Sequence, residues 1–330
     1  MRQREGNGGA ARIRVLTVLD TVPNLTVLAL AVLLDLAMGE PPARFHPTVW
    51  IGRTVAFTER LAPRDGTAAV VAGAVLALLV AGLWTTAAYF AVRGLHGFHE
   101  VAYVLVGASL LKSTFSLRML HRAASQVGGL LSRGEIAQAR HNLRSLVSRD
   151  TSSLSPEQAA VATVESVSEN MADSFVGPWL FFALFGLPGA VAYRAINTLD
   201  SMIGYHGEYE YLGKASARLD DLVNLIPARL AGLLLVLSSL FLPGQRMRGA
   251  WRIMWRDHSR TESPNAGWAM SGMAGALGVQ LEKVGHYRLG DSTRPVEVHD
   301  ITQAVRSMYL VAGLGLLVAL GLTLLRHGIF

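Results

Sequence analysis

Acidic side chains spaced for one helix face carry the first chemical signal. Glu165, Glu169 and Asp173 stand at i, i+4 and i+8, within about 80° of one another around a helix. Carboxylates at this spacing repel by roughly 0.2–0.5 kcal/mol per pair. No basic residue falls between Arg149 and Arg194 to relieve them. Hard oxygen ligands suit Mg²⁺, so Glu165 and Glu169 are expected to hold a divalent cation or a cationic substrate group. A second acidic pair, Asp220-Asp221, precedes Asn224, Pro227 and Arg229. On a helix the two acids and the amide fall within about 100°, at the mouth of an apolar segment. Ionisable groups at membrane depth are functional candidates, and adjacent acids with an amide suit a Mg²⁺–phosphate site.

Arg194, Asn197 and Ser201 share a third face, with Asp200 at its edge. The planar fork of Arg194 matches phosphate or carboxylate, although an Arg ending an apolar segment also serves by snorkelling to the interface. Two loops add candidates. Gly39-Glu40-Pro41-Pro42 leads into His46-Pro47, a rigid connector, and Ser263-Pro264-Asn265-Ala266-Gly267-Trp268 reads as a fixed turn with Asn265 at its polar tip. His96 and His99 sit three apart without matching acids, which is no pattern for a metal. No P-loop, H-E-x-x-H, G-x-S-x-G or dinucleotide-binding glycine fingerprint occurs, so ATP use through a P-loop is excluded.

The scaffold that must hold these residues is hydrophobic. Hydrophobic residues make up 51% and charged residues 16%, where soluble domains carry roughly 25% charged. Disorder needs low hydrophobicity and is excluded. The net charge of +6 is spread along the chain, with no basic, aromatic-rich stripe of the kind nucleic acid requires. The absence of Cys removes disulfides, thiolate zinc sites, iron–sulfur clusters and cysteine nucleophiles.

Gly66 to Val92 is 27 residues without a charge, and Ser307 to Leu325 is 19. A span needs roughly 20. Leu222 to Gln245 carries only Arg229, while Thr21 to Leu34 and Val101 to Leu111 are shorter. Thr21 to Leu34 passes directly into the Asp35, Gly39, Glu40 and Pro41-Pro42 motif, and reads as an uncleaved first helix rather than a cleavable signal. Ser174 to Tyr193 is broken by Gly186-Leu187-Pro188-Gly189. Two readings stay open there: one kinked span, or a re-entrant hairpin whose exposed backbone must be satisfied by protein or water. In the polar stretch 112–173, Leu117, Leu120, Ala124, Val127, Leu130 and Leu131 recur at helical spacing. Ser155-Pro156 marks a helix start. Residues 112–173 hold seven Lys/Arg and residues 243–307 nine, which points to one cytoplasmic face for both.

The expected class is an all-α integral membrane protein with four to five spans, one re-entrant helical hairpin being an option, and helical polar segments on the cytoplasmic face. A basic, flexible extension over residues 1–20 precedes one polytopic membrane domain over 21–330.

Several of these motifs occur in an order that resembles the CobD/CbiB family, the adenosylcobinamide-phosphate synthases of cobalamin biosynthesis. They are Leu34-Asp35 with Gly39-Glu40-Pro41-Pro42 and His46-Pro47, Glu165 to Asn170, and Tyr193-Arg194 through Met202. Arg218-Leu219-Asp220-Asp221, Ile226-Pro227-Ala228-Arg229 and Ser263 to Trp268 complete the set. The resemblance runs from about residue 29 to 310. It implies an acid–amine ligase of the cytoplasmic membrane, with ATP as co-substrate and Mg²⁺. Its substrates would be adenosylcobyric acid and (R)-1-amino-2-propanol O-2-phosphate or ethanolamine phosphate. Membrane lipid and other membrane enzymes of the pathway are the implied partners, and nucleic acid is not one.

On that footing Glu165, Glu169, Asp220 and Asp221 would hold Mg²⁺–nucleotide phosphates. Arg194 and Arg229 would contact phosphate, while Asn197, Asp200 and Asn265 orient amine or carboxylate, with His46, Ser201 and Asn224 also on the substrate. Two other classes share the acids and the spans: a Mg²⁺-dependent intramembrane prenyl- or phosphotransferase, and a corrinoid-binding transporter or scaffold. Neither accounts for the full ordered set.

Overall fold

The computed structural model describes residues 6–329 apart from His206, with side chains described from Val22 to Arg326. The expected flexible extension over residues 1–20 lies outside the fully described residues. In chain order the helices are α1 (Gly6–Met38), α2 (Pro47–Glu59), α3 (Gly66–Phe98), α4 (Glu100–Lys112), α5 (Leu117–Ser132), α6 (Ile136–Leu143) and α7 (Pro156–Met171). There follow α8 (Gly177–Ile203), α9 (Lys214–Val223), α10 (Leu225–Ser238), α11 (Met247–Asp257) and α12 (Ala266–Leu277). A two-stranded antiparallel hairpin, β1 (Gln280–Lys283) and β2 (Tyr287–Gly290), pairs Lys283 with Tyr287. Helix α13 (Val298–Ile329) closes the chain.

Four helical stretches among the described residues are long and apolar enough to cross a membrane: Gly66–Phe98, Glu100–Ser132, Pro156–Ile203 and Val298–Arg326. The pair Lys214–Val223 and Leu225–Ser238, bent by 48°, makes a fifth if it is one span. The expected four to five spans are present in an all-α protein. Exposed apolar side chains fit lipid rather than water: on α3, Val71, Val75, Leu78, Leu79 and Phe90 all face outward.

The chain divides into two compact units. The first comprises residues 1–115, 178–217 and 316–330. Its core packs Ile51 and Val55 of α2, Leu76 and Val80 of α3, and Ala195, Leu199 and Ile203 of α8. Here the structure also decides between the two readings of the glycine–proline break. Gly186 sits at φ 71°, ψ −165°, a region that is essentially glycine-only. Phe181 and Tyr193, twelve residues apart, have ring centroids 5.0 Å apart, where a straight helix would separate them by about 18 Å along its axis. A Cβ on Gly189 would lie 2.6 Å from the Phe181 carbonyl oxygen. The chain therefore reverses at Gly186 into a helical hairpin. Arg326 Nη1 donates to Phe182 O at 3.3 Å, giving one of the carbonyls freed at the break a cationic partner, favourable at a helix C-terminus.

The second unit comprises residues 116–177 and 218–315. Helix α7 starts as the sequence predicts: Ser155 Oγ accepts from Gln158 N at 3.1 Å, Gln158 Oε1 accepts from Ser155 N at 2.8 Å, and Pro156 fills the first helical position. Helix α5 buries the stripe Leu117, Leu120, Ala124, Val127, Leu130 and Leu131. A cluster of Val236, Ala250, Met254, Trp268 and Ala276 joins α10, α11 and α12. Close approach there relies on glycine, since a Cβ on Gly275 would meet the Gly249 carbonyl oxygen at 2.3 Å. The β1–β2 hairpin packs on α7 and α12. It is the one pair of strands among the described residues of an otherwise helical chain.

Candidate functional site

Within the second unit, residues from two distant motifs meet at the α9–α10 bend. Asp221 Oδ1 accepts from Ser263 Oγ at 3.2 Å, and its backbone carbonyl accepts from Asn265 Nδ2 at 2.8 Å. Asn265 Oδ1 in turn accepts from Arg229 Nη1 at 3.3 Å. The Arg229 guanidinium also donates to Leu225 O at 2.8 Å and lies 4.9 Å from the Trp268 ring centroid. Asn224 is buried and donates to Asp220 Oδ2 at 3.0 Å. The 48° break between α9 and α10 sets the acids and Arg229 on separate helices, and the fixed turn ties them together through Asn265. The resulting surface combines two carboxylates with a stacked, partly buried guanidinium, a combination suited to a phosphate and its counter-cation.

Glu165 and Glu169 belong to a second constellation in the same unit. Glu165 is 4% exposed, and its Oε2 accepts from Arg149 Nη2 at 2.7 Å. The basic partner missing along α7 comes instead from the loop before it. Both glutamates line a cavity of about 110 Å³ together with Arg149, Ser166, Lys283 and Tyr287. Burial, reinforced by the charges of Glu165 and Glu169, pushes the Tyr287 phenol up, so it remains a protonated donor. Asn170 donates to Ser166 O at 2.9 Å and is held along the same helix. Arg149, Lys283 and Tyr287 were not recognised from sequence. The hairpin signal was present, in Lys283-Val284-Gly285-His286-Tyr287 between short alternating runs.

The first unit contains two further groups. Arg194 Nη1 donates to Asn197 Oδ1 at 3.1 Å, the expected contact on that face of α8. Ser201 Oγ donates to Asn197 O at 2.7 Å, so the hydroxyl is engaged along its own helix. Asp200 accepts from Gly204 N through its backbone carbonyl at 2.7 Å where the helix ends. The second group gathers the N-terminal motif. Lys112 Nζ is 3.2 Å from Asp35 Oδ1 and 2.8 Å from Glu40 Oε2, and His46 Nε2 is 2.7 Å from the same Glu40 oxygen. Asp35 is fully buried and Lys112 nearly so. Thr48 Oγ1 donates to Ser113 O at 2.6 Å, and Trp50 Nε1 to Arg44 O at 3.0 Å. These bonds pin the Pro-rich loop. Lys112 ends the apolar run from Val101 to Leu111, which was its one signal in the sequence.

The four expected metal carboxylates can be compared by chemistry. Among the described residues no group of three or more His, Cys, Asp or Glu converges. A resident all-protein cage is thus not what these residues build. Mg²⁺ is commonly held by one or two carboxylates plus substrate phosphates, and Asp220-Asp221 beside Arg229 meets that description. Glu165, already bound by Arg149, suits a divalent ion less well.

Spans, helical hairpin and clustered acids with arginines define a multi-pass, all-α membrane protein carrying polar sites. The sequence profile of the family described as CobD/Cbib protein matches residues 28–308. Similar proteins include cobalamin biosynthesis protein CobD of Dehalococcoides mccartyi (strain CBDB1), 47% identical over 82% of this chain and 88% of that one. CobD of Geobacter metallireducens is 44% identical over 86% and 92%, and CbiB of Salmonella typhimurium 38% over 88% and 96%. No solved structure matches the chain. This protein belongs to the CobD/CbiB family, and the ordered motifs read from the sequence fall within the matched residues.

Proposed function

We propose that the protein is an amide-forming ligase of cobalamin biosynthesis. It joins the free carboxylate of adenosylcobyric acid to the amine of (R)-1-amino-2-propanol O-2-phosphate or ethanolamine phosphate, with ATP as co-substrate. The observation that carries the reading is the meeting of Asp221, Asn265, Arg229 and Trp268, which joins two motifs into one phosphate-suited surface. A carboxylate is a poor electrophile. Transfer of a phosphoryl group to its oxygen creates a leaving group, and attack by the amine then forms the amide and releases phosphate.

Asp220 and Asp221 hold the Mg²⁺ that accompanies the nucleotide phosphates, and Mg²⁺ when bound withdraws charge from phosphate oxygens. Arg229 neutralises phosphate, while Asn224 and Asn265 fix the acids and the guanidinium. Arg194, Asn197, Asp200, Ser201 and His46 belong to substrate recognition. Residues that recognise phosphate and carboxylate by fixed donors stabilise charge where it develops. The protein resides in the cytoplasmic membrane with its site on the cytoplasmic side, near other membrane enzymes of the pathway.

Detergent-purified protein supplied with adenosylcobyric acid, Mg²⁺-ATP and aminopropanol phosphate tests the reading by corrinoid mass. The expected result is an ATP-dependent gain equal to amide condensation. Corrinoid binding without a mass change would refute the ligase and favour a scaffold.

A further inference from the structure

Glu169 and Lys283 are opposite charges that line one small cavity without meeting. Neither side chain makes an ion pair or hydrogen bond among the described residues, whereas Glu165 and Arg149 are paired at 2.7 Å on the same wall. Arg149 Nε is buried there without a hydrogen-bond partner, while the Glu165 carboxylate, besides its bond from Arg149, interacts with the Tyr287 hydroxyl. Buried polar groups are almost always satisfied. The cavity therefore offers one uncommitted buried donor, Arg149 Nε, beside the more exposed charges of Glu169 on α7 and Lys283 on β1.

Size and charge narrow the occupant. At about 110 Å³ the cavity is well below the roughly 300–1,000 Å³ of pockets for drug-sized ligands. A neighbouring cavity of about 240 Å³ shares Arg149 and Lys283 as its wall. A nucleotide triphosphate is too large for the smaller space and is repelled by two glutamates. A divalent cation is repelled by Arg149 and Lys283. The four charges sum to zero but are separated by element, which matches a ligand that is itself a compact zwitterion.

We propose that this cavity binds the ammonium phosphate substrate, with Glu169 and Glu165 taking the ammonium and Lys283 and Arg149 taking the phosphate. The assignment of the ligand as an amino-alcohol phosphate rests on the ligase reading above; the charge complement stands on the cavity alone. Tyr287, kept protonated, donates to Glu165 and holds that carboxylate at the rim.

The test is calorimetric titration of the full chain in detergent, without ATP or corrinoid, using O-phosphoethanolamine, ethyl phosphate and β-alanine as probes. Wild-type protein should bind phosphoethanolamine at least about tenfold more tightly than either other probe, the scale of one hydrogen bond to a charged group. Glu169→Gln should erase the preference over ethyl phosphate while leaving ethyl phosphate itself unchanged. Lys283→Met should weaken both phosphates together. The ethyl phosphate titration also shows that Glu169→Gln is folded, and an unchanged thermal melt in detergent shows the same for Lys283→Met.

Equal binding of phosphoethanolamine and ethyl phosphate to wild type would overturn the proposal. So would an unaltered preference in Glu169→Gln, β-alanine binding as tightly as phosphoethanolamine, or no binding at millimolar probe. If the amide forms in the corrinoid assay but Glu169→Gln keeps the preference, this site assignment fails alone. If the probes behave as expected and no amide forms, the ligase reading fails alone.

Discussion

Replacing Lys112 with Met removes a cation that bridges Asp35 and Glu40, while keeping a side chain of similar length. The attraction removed is large in gross terms. At 3.2 and 2.8 Å each contact amounts to about 5–6 kcal/mol at an effective dielectric of 20. Desolvation offsets much of that in the intact cluster, but removing one partner of a buried ion pair costs about 3–5 kcal/mol. With about 2.1 cal/mol/K of unfolding entropy per residue over 330 residues, Lys112→Met should lower the melting midpoint by about 4–7 °C. Intrinsic tryptophan fluorescence in detergent reads this directly. The discriminating measurement is the triple variant Lys112→Met, Asp35→Asn, Glu40→Gln. Neutralising the two acids should recover at least half of the loss, because the penalty lies in their charge rather than in the missing lysine. A single variant that melts within 1 °C of wild type, or a triple variant as unstable as the single, would refute the reasoning.

Four other outcomes follow from particular contacts. Because the chain contains no cysteine, Phe181→Cys with Tyr193→Cys should be captured by a short bifunctional thiol-reactive crosslinker; failure to crosslink would restore the straight kinked span. Gly189→Leu should reduce folded yield sharply, since even its Cβ would overlap the Phe181 carbonyl oxygen at 2.6 Å, and normal yield would argue against the reversal. Asp220→Asn and Asp221→Asn should each abolish ATP-dependent condensation with membrane insertion intact, so near wild-type turnover would remove their proposed metal role. For Asp257, burial works to raise the carboxyl pKa but is outweighed by the Arg256 fork, the Gly290 N–H and the charges of Arg256 and Arg260. Its folded value is therefore depressed. That contribution is fully present above the unfolded value of about 3.9 and is lost as pH falls through the folded value. Asp257→Asn should flatten the acid limb of the stability curve below about pH 4, and an unchanged acid limb would count against the assignment.

Much of the scaffold was legible because it depends on local chemistry. Long uncharged runs specify spans, Ser155-Pro156-Glu157-Gln158 specifies a helix start, and the three-and-four spacing from Leu117 to Leu131 specifies which face of α5 is buried. The spacing of Arg194 and Asn197 likewise foretold their contact at 3.1 Å. Other features were carried by signals too weak to rank. Tyr287 and Lys283 stand in a four-residue-strand hairpin, and so short an alternation does not stand out against a helical background. The counter-charge of the acids on α7 is not on that helix: Arg149 reaches Glu165 from a loop sixteen residues earlier, a pairing that helical spacing does not encode.

By itself the sequence determined the membrane class, the approximate number of spans, the absence of thiol chemistry and the family, because these rest on composition, runs and ordered motifs. Tertiary structure decided which charges are neighbours. It drew Lys112 between Asp35 and Glu40, set Arg229 against Asn265 and Trp268, and reversed the chain at Gly186. Charge pairing depends on separations of a few ångströms between residues distant in the chain, and helical periodicity fixes direction only within a single helix.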